Sequence, residues 1–171
     1  MSVTFAIPTI RTERLALRAA RQSDFDAYAA YRGGARARFI GGPNTPREAY
    51  IRLGYETGLW ALRGYGGLIV ADATNDAPIG LAGFYHHANW NGPELGWGLF
   101  DGYEGRGYAT EAARALCRFA FDTLDWASVD CSVANDNDRS IALVNRLGGV
   151  PASGGGADGI LRFSISPEAV R

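Results

Sequence analysis

GPELGWGLFDGYEGRGYATEAARAL, Gly92 to Leu116, is the stretch whose reading decides the fold. It reads as a strand, a short glycine loop and a helix. From Glu94 to Phe100 the side chains alternate, with Leu95, Trp97 and Leu99 on one face and Glu94, Gly96, Gly98 and Phe100 on the other. Two glycines on one face weaken a strand unless another group must approach its backbone closely or a bulge is needed there. Beyond the loop, Ala109, Ala112, Ala113, Leu116 and Ala120 share one helical face, and Glu111, Arg114, Arg118 and Asp122 share the opposite one. Such a helix packs on a sheet. Its first turn emerges from Glu104-Gly105-Arg106-Gly107-Tyr108-Ala109, where unpaired backbone N–H groups and the positive end of the helix dipole suit a phosphate. A nucleotide P-loop would end in Gly-Lys-Ser/Thr, which this loop lacks. A dinucleotide fingerprint needs glycine where Thr110 stands, and it normally opens a βαβ unit near a chain start.

The flanks make the loop specific. Thr12-Glu13-Arg14-Leu15-Ala16-Leu17-Arg18 comes first, then Glu94-Leu95-Gly96-Trp97 and Gly105-Arg106-Gly107-Tyr108-Ala109-Thr110-Glu111-Ala112. Asn137-Asp138-Arg139-Ser140 and Leu147-Gly148 follow. In this order the pieces cover nearly the whole chain, and with them the chain resembles the GNAT superfamily of N-acetyltransferases. Within it, the similarity is to the RimJ/RimL-like branch that acetylates ribosomal-protein N-termini. The family's coenzyme A loop has the form Q/R-x-x-G-x-G/A; Gly107 and Ala109 match its last two fixed positions, and Glu104 stands where Gln or Arg is usual.

The resemblance implies acetyl-CoA as cofactor and an α/β (α+β) fold. The implied sheet is mixed and mostly antiparallel, with a splayed parallel pair and flanking helices. The pantetheine arm would add to the Glu94 strand like a short extra strand, with backbone partners from Leu99 and Phe100. The pyrophosphate would rest on the N–H groups of Gly105, Arg106, Gly107, Tyr108, Ala109 and Thr110, with Arg106 adding charge if its side chain turns inward. The thioester would sit where this strand splays from Ser128–Val133. Read as local structure alone, Gly105 and Gly107 shape a tight strand-to-helix turn. Many relatives carry a proton-donating tyrosine on the last helix; Val144 stands there. The RimL-like branch implies Ser140 for that role and Asn137 as a holder of the cofactor's amide arm, although both are also ordinary helix-start residues. Gly149 replaces the family's Phe or Met after the helix-ending glycine, which predicts a more open wall near the acceptor amine.

Composition sets outer bounds. The 171 residues fit one domain, 1–171, with a substantial core. A hydrophobic share of 47% with 20% charged residues is ordinary for a soluble globular protein. A net charge of −1 gives no case for nucleic acid or an anionic membrane as partner. Cys117 and Cys131 read as buried thiols, and nothing in the pattern signals secretion or a bilayer span, so a cytoplasmic protein is the expectation. A homodimer is one assembly open to it.

In chain order, Ile10–Ala19 reads as a strand with outward arginines and inward leucines. Ser23 caps a helix containing Phe25, Tyr28 and Tyr31, and a further helical segment spans Ala35–Phe39. Thr45-Pro46 starts a helix over Arg47–Leu62 that contains Gly54 and Gly58. Strands follow at Gly67–Asp72 and Ile79–His86, joined by a hairpin through Asn75 and Asp76. After the long helix come a strand at Ser128–Val133, a helix capped by Asp136 or Asn137 that ends at Gly148-Gly149, a glycine-rich loop Ser153–Gly159, and a last strand Ile160–Ile165.

Acyl transfer to an amine needs a neutral nucleophile, a stabilised oxyanion and a proton for the departing thiolate. An α-amine of pKa about 7.8 is neutral in roughly a tenth of molecules at pH 7, against under about 0.1% for a lysine near 10.4. An α-amine therefore tolerates a weak or water-relayed base, and Glu94 at the strand start is the candidate. The oxyanion would be met by backbone N–H groups of the same strand. His86 and His87 are adjacent and so face opposite ways on a strand, and no cluster completes a metal site. Trp60, Trp90 and Tyr65 read as packing residues. No Gly-x-Ser-x-Gly elbow supports a hydrolase. The reading is an N-acetyltransferase that moves an acetyl group from acetyl-CoA to a protein N-terminus or small amine by direct transfer in a ternary complex. The alternative is a non-catalytic acyl-CoA-binding or sensor module.

Overall fold

The computed structural model describes residues 6–88, 90–152 and 159–171; the expected loop Ser153–Gly159 lies, apart from Gly159, outside them. The chain runs through β1 (Ile10–Arg11), β2 (Leu15–Arg18), α1 (Phe25–Gly33), a 3-10 segment (Ala35–Ile40), α2 (Pro46–Arg63) and β3 (Gly67–Asp72). It continues through β4 (Pro78–Tyr85), β5 (Glu94–Leu99), α3 (Tyr108–Thr123), β6 (Val129–Ala134), α4 (Asp138–Arg146), β7 (Val150–Pro151) and β8 (Ile160–Ile165). The strands form one sheet in the order β1-β2-β3-β4-β5-β6-β8-β7. Every pairing is antiparallel except β5 with β6. This is the mixed, mostly antiparallel sheet that the sequence implied.

Strand alternation divides the core into two layers. Leu15, Leu17, Leu68, Val70, Phe84 and Leu95 pack on the α3 side, against Ala112, Ala113, Leu116, Cys117 and Ala120. Ile69, Leu81 and Phe100 face the other way, onto Tyr28 and Tyr31 of α1 and Ala49 of α2. Small residues on α3 bring that helix close to the sheet, which fixes the position of its N-terminus relative to the end of β5.

Local chemistry sets the helix ends. Thr45 accepts from the Glu48 N–H at 3.3 Å while the Glu48 carboxylate accepts from the Thr45 N–H at 2.7 Å, a capping box with Pro46 in the first turn. Gly64, at φ +76°, closes the same helix.

Three expectations at the N-terminal end are corrected. The Ile10–Ala19 segment is a hairpin rather than one strand, because the Thr12 N–H turns back to the Leu15 carbonyl at 2.9 Å and pairs Ile10 with Leu17. Arg18 is buried, gripped by Asp24 at 2.8 Å and Asp76 at 2.7 Å. Asp24, not Ser23, stands at the N-cap of α1; its carboxylate accepts from Arg18 and from the Arg21 N–H. The helix start is thereby tied to β2 and to the β3–β4 turn.

Removing one partner of a buried pair strands the other charge, so Asp24→Ala should lower unfolding stability by about 3–5 kcal/mol in urea titration. Gly54 sits exposed within α2 and a Cβ there meets nothing within 4 Å. Gly54→Ala should accordingly raise stability by about 0.5–1 kcal/mol in the same measurement.

Candidate active site

β5 and β6 pair only at Glu94–Asp130 and then diverge toward their C-terminal ends. The gap opens a cleft of about 1990 Å³. Its floor is Leu95–Leu99 of β5 and Ser132–Ala134 of β6; its rims are the starts of α3 and α4, and Tyr31, Arg36, Phe39 and Ile40 form a further wall.

The orientation of the β5 backbone follows from its pairing with β4. The Phe100 N–H donates to the Ile79 carbonyl at 2.9 Å, so alternate residues Gly98 and Gly96 also turn their peptide groups toward β4. Leu95, Trp97 and Leu99 turn theirs toward the gap. Leu99 thus has the expected free edge. Phe100 does not: its N–H is bound to Ile79, and its carbonyl accepts from the Tyr103 N–H at 3.3 Å. The second backbone position open to an added strand is Trp97.

The two glycines of β5 have a steric cause. A Cβ on Gly98 would overlap the Tyr31 hydroxyl, and one on Gly96 would lie 2.8 Å from the Tyr85 ring. Both tyrosines reach the strand from the α1–α2 side. Tyr31 is nearly fully buried and packs on Phe100 at 5.6 Å, and burial pushes its hydroxyl pKa up while Arg36 and Arg32 oppose the shift.

At the far end of β5 the loop turns through Gly102, Gly105 and Gly107, at φ +90°, +75° and +80°. These left-handed positions favour glycine. Gly107 is the N-cap of α3, and among the described residues no side chain caps the first-turn N–H groups of Tyr108, Ala109 and Thr110. Arg106 stacks at 6.0 Å over the Tyr103 ring and is not among the cleft-lining residues, so it does not turn inward. The loop is braced from the β1–β2 turn. Glu111 accepts from Thr12 Oγ1 at 2.6 Å, from the Arg14 N–H at 3.1 Å and from Arg14 Nε at 2.7 Å, and Arg14 Nη1 donates to the Arg106 carbonyl at 3.0 Å. Partial burial opposes ionisation of Glu111, but these hydrogen bonds together hold its carboxyl below the usual range.

On the other rim, Asn137 caps α4, its Oδ1 accepting from the Ser140 N–H at 3.2 Å. Both residues line the cleft. The Asn137 oxygen is therefore engaged in the cap, and its Nδ2 is what it can offer a ligand. Glu94 stands at the closed end of the splay, almost buried, accepting from Arg162 Nη2 at 2.9 Å, and is not among the lining residues. The structure thus gathers the loop, Leu99, Asn137 and Ser140 around one cleft and sets Glu94 apart from it.

Val144 is fully buried. The expected opening at Gly149 is absent: a Cβ there would overlap Val144 and sit 3.4 Å from Ile165, so packed side chains already fill that space. Cys117 and Cys131 are free and buried, and burial pushes both thiols to about 12, which removes them as nucleophiles at neutral pH. Among the described residues no group of three or more His, Cys, Asp or Glu is placed to hold a metal ion. Tyr65 bonds His86 Nδ1 at 2.7 Å and packs edge-on to Trp126, and Trp60 donates to the Gly67 carbonyl at 3.0 Å, so these residues pack the structure as expected.

Two lining residues, Tyr31 and Arg36, carry no sequence signal. Their link to the loop spans 65 or more positions and depends on how α1 docks.

Comparison with known proteins bears on this geometry. Residues 14–150 match the family described as acetyltransferase (GNAT) domain, and the chain belongs to it. The fold is similar to an acetyltransferase from Agrobacterium tumefaciens str. C58, at 34% identity and TM-score 0.87 over 96% of this chain and 97% of that one. It is also similar, at 17% identity and TM-score 0.74 over 95% and 99% of the two chains, to RimL, a ribosomal L7/L12 alpha-N-protein acetyltransferase solved with coenzyme A; at that identity the likeness speaks for the fold alone. A curated relative, an uncharacterized N-acetyltransferase p20 of Bacillus licheniformis, is 34% identical over 73 residues, 42% of this chain and 41% of that protein. No described helix is long and apolar enough to cross a membrane.

Overpacking at the strand's tyrosine contact should be costly. Gly98→Ala is expected to lower stability by about 1–3 kcal/mol and to shift the near-ultraviolet circular dichroism of Tyr31 and Phe100.

Proposed function

We propose that this protein transfers an acetyl group from acetyl-CoA to a primary amine, a protein N-terminus or a small amine, by direct transfer in a ternary complex. The observation that carries the reading is the divergence of β5 from β6 directly beside an uncapped, glycine-turned helix start. That combination fits a ligand with an extended amide arm and a diphosphate: the free edge of Leu99 and Trp97 suits the arm, and the N–H groups of the loop and of Tyr108, Ala109 and Thr110 suit the anion. Bound there, the cofactor supplies an activated acyl thioester.

The chain's own groups then hold, orient and move protons. Asn137 would hold the amide arm through Nδ2. Ser140, half-buried on the cleft rim, would supply the proton for the leaving thiolate. Glu94 would take the proton of the amine by way of water, since its carboxylate is set back and held by Arg162. Free N–H groups of β5 would stabilise the oxyanion. The reading extends to the RimJ/RimL-like branch, to a cytoplasmic location and to a single domain over 1–171. The buried Val144, where relatives carry a tyrosine, keeps an acyl-CoA sensor as the alternative.

Titration with acetyl-CoA should raise the melting temperature and quench Trp97, while ATP and NAD should do neither; no response at saturating acetyl-CoA overturns the cleft assignment. Asn137→Asp keeps the capping oxygen but loses the Nδ2 donor, so it should leave stability within about 0.5 kcal/mol while weakening acetyl-CoA about tenfold. With an accepted amine, Glu94→Gln and Ser140→Ala should lower kcat at unchanged cofactor affinity. Absence of turnover with any amine, despite tight binding, would favour the sensor.

A further inference from the structure

The glycine loop that would receive the diphosphate contains a carboxylate, Glu104, which repels such an anion. The same structure shows what answers it. Arg36, from the 3-10 segment after α1, forms ion pairs with Glu104 and, at 2.6 Å, with Asp101. Arg36 and Glu104 both line the cleft, as do Gly105 and Gly107.

Three arginines beside the loop are engaged elsewhere. Arg14 holds Glu111 and the Arg106 carbonyl, Arg106 lies over Tyr103, and Arg38 pairs with Asp136 at 2.8 Å. Arg114, Arg139 and Arg146 line the α3–α4 side. Arg36 is set against the loop by its stacking at 5.6 Å over the ring of Tyr31, whose own position is fixed by burial and by the bare backbone of Gly98.

Magnitudes favour exchange of partners. The Arg36 and Asp101 side chains are 37% and 85% exposed, and pairs of this kind contribute about 0–1 kcal/mol. A guanidinium on a diphosphate makes stronger, bidentate, charge-assisted hydrogen bonds. We propose that Arg36 is the cationic ligand of the cofactor's diphosphate, parked on Glu104 and Asp101 until that anion takes it over. The proposal rests on the acyl-CoA reading of the cleft. Two carboxylates share one guanidinium, so Glu104 acts as a brake on affinity, not as an anion ligand.

The test is coenzyme A affinity by isothermal titration calorimetry for the wild type, Arg36→Ala, Arg36→Lys, Glu104→Gln and the double variant Arg36→Ala/Glu104→Gln, with inorganic pyrophosphate as competitor. Arg36→Ala should weaken binding about 10- to 100-fold and abolish competition by pyrophosphate, with Arg36→Lys between it and the wild type. Glu104→Gln should tighten binding about three- to tenfold, and the double variant should recover part of the loss. Far-ultraviolet circular dichroism confirms that each variant is folded. Arg36→Ala within twofold of the wild type would overturn the proposal and leave the cleft reading intact. Glu104→Gln weakening binding as much as Arg36→Ala would also overturn it, showing that Glu104 braces the loop through its hydrogen bond to the Gly102 N–H, 2.9 Å long. A wild type that binds no coenzyme A removes the cleft reading itself, and this proposal with it.

Discussion

The divergence of two parallel strands is the constraint on which the rest of this structure depends. A sheet normally satisfies its own peptide groups, and β5 does so fully on its β4 side. On the β6 side the ladder stops after Glu94–Asp130, so Trp97 and Leu99 present N–H and C=O groups to an open gap. An edge of this kind in the middle of a sheet invites pairing and must be kept from collapsing. Here the rims are separate rigid units, α3 after β5 and α4 after β6, each docked through a buried apolar stripe.

Holding the cleft open also requires close approach from above. Tyr31 and Tyr85 cover β5 where side chains would otherwise stand, and Gly98 and Gly96 give them room. The glycines that looked like weak points in a strand are contact points for α1 and β4. The Thr12–Arg14–Glu111 network does the corresponding work at the loop, joining the first hairpin to the start of α3 across nearly a hundred residues of sequence. The cleft is thus assembled from both layers of the fold, with the glycine loop on one side and the aromatic wall on the other.

Membership of the GNAT acetyltransferase family follows from the match over residues 14–150. The departures from the family pattern are where this chain is individual. Glu104 comes with a counter-charge from Arg36. Val144 and Gly149 form one packed unit, in which the branched side chain of the first occupies the space a side chain on the second would need. A tyrosine and a large apolar residue at these two places would not fit the present core.

The sequence by itself determined the order of elements from α1 onward, the position of the glycine loop, the capping of α2 and α4 and the inertness of both cysteines, because each is written in local periodicity or in residue chemistry within a few positions. By motif spacing it also singled out Leu99, Gly105, Gly107, Asn137 and Ser140, which line one cleft. It misjudged Phe100, because which strand edge a peptide group faces depends on the register with β4. It misjudged Arg18, since burial of a charge depends on partners at Asp24 and Asp76 that no periodicity links to it. Tyr31 and Arg36 were decided by tertiary structure alone: a short 3-10 segment has no amphipathic signature, and only the docking of α1 on the sheet carries its side chains to a loop more than sixty residues away.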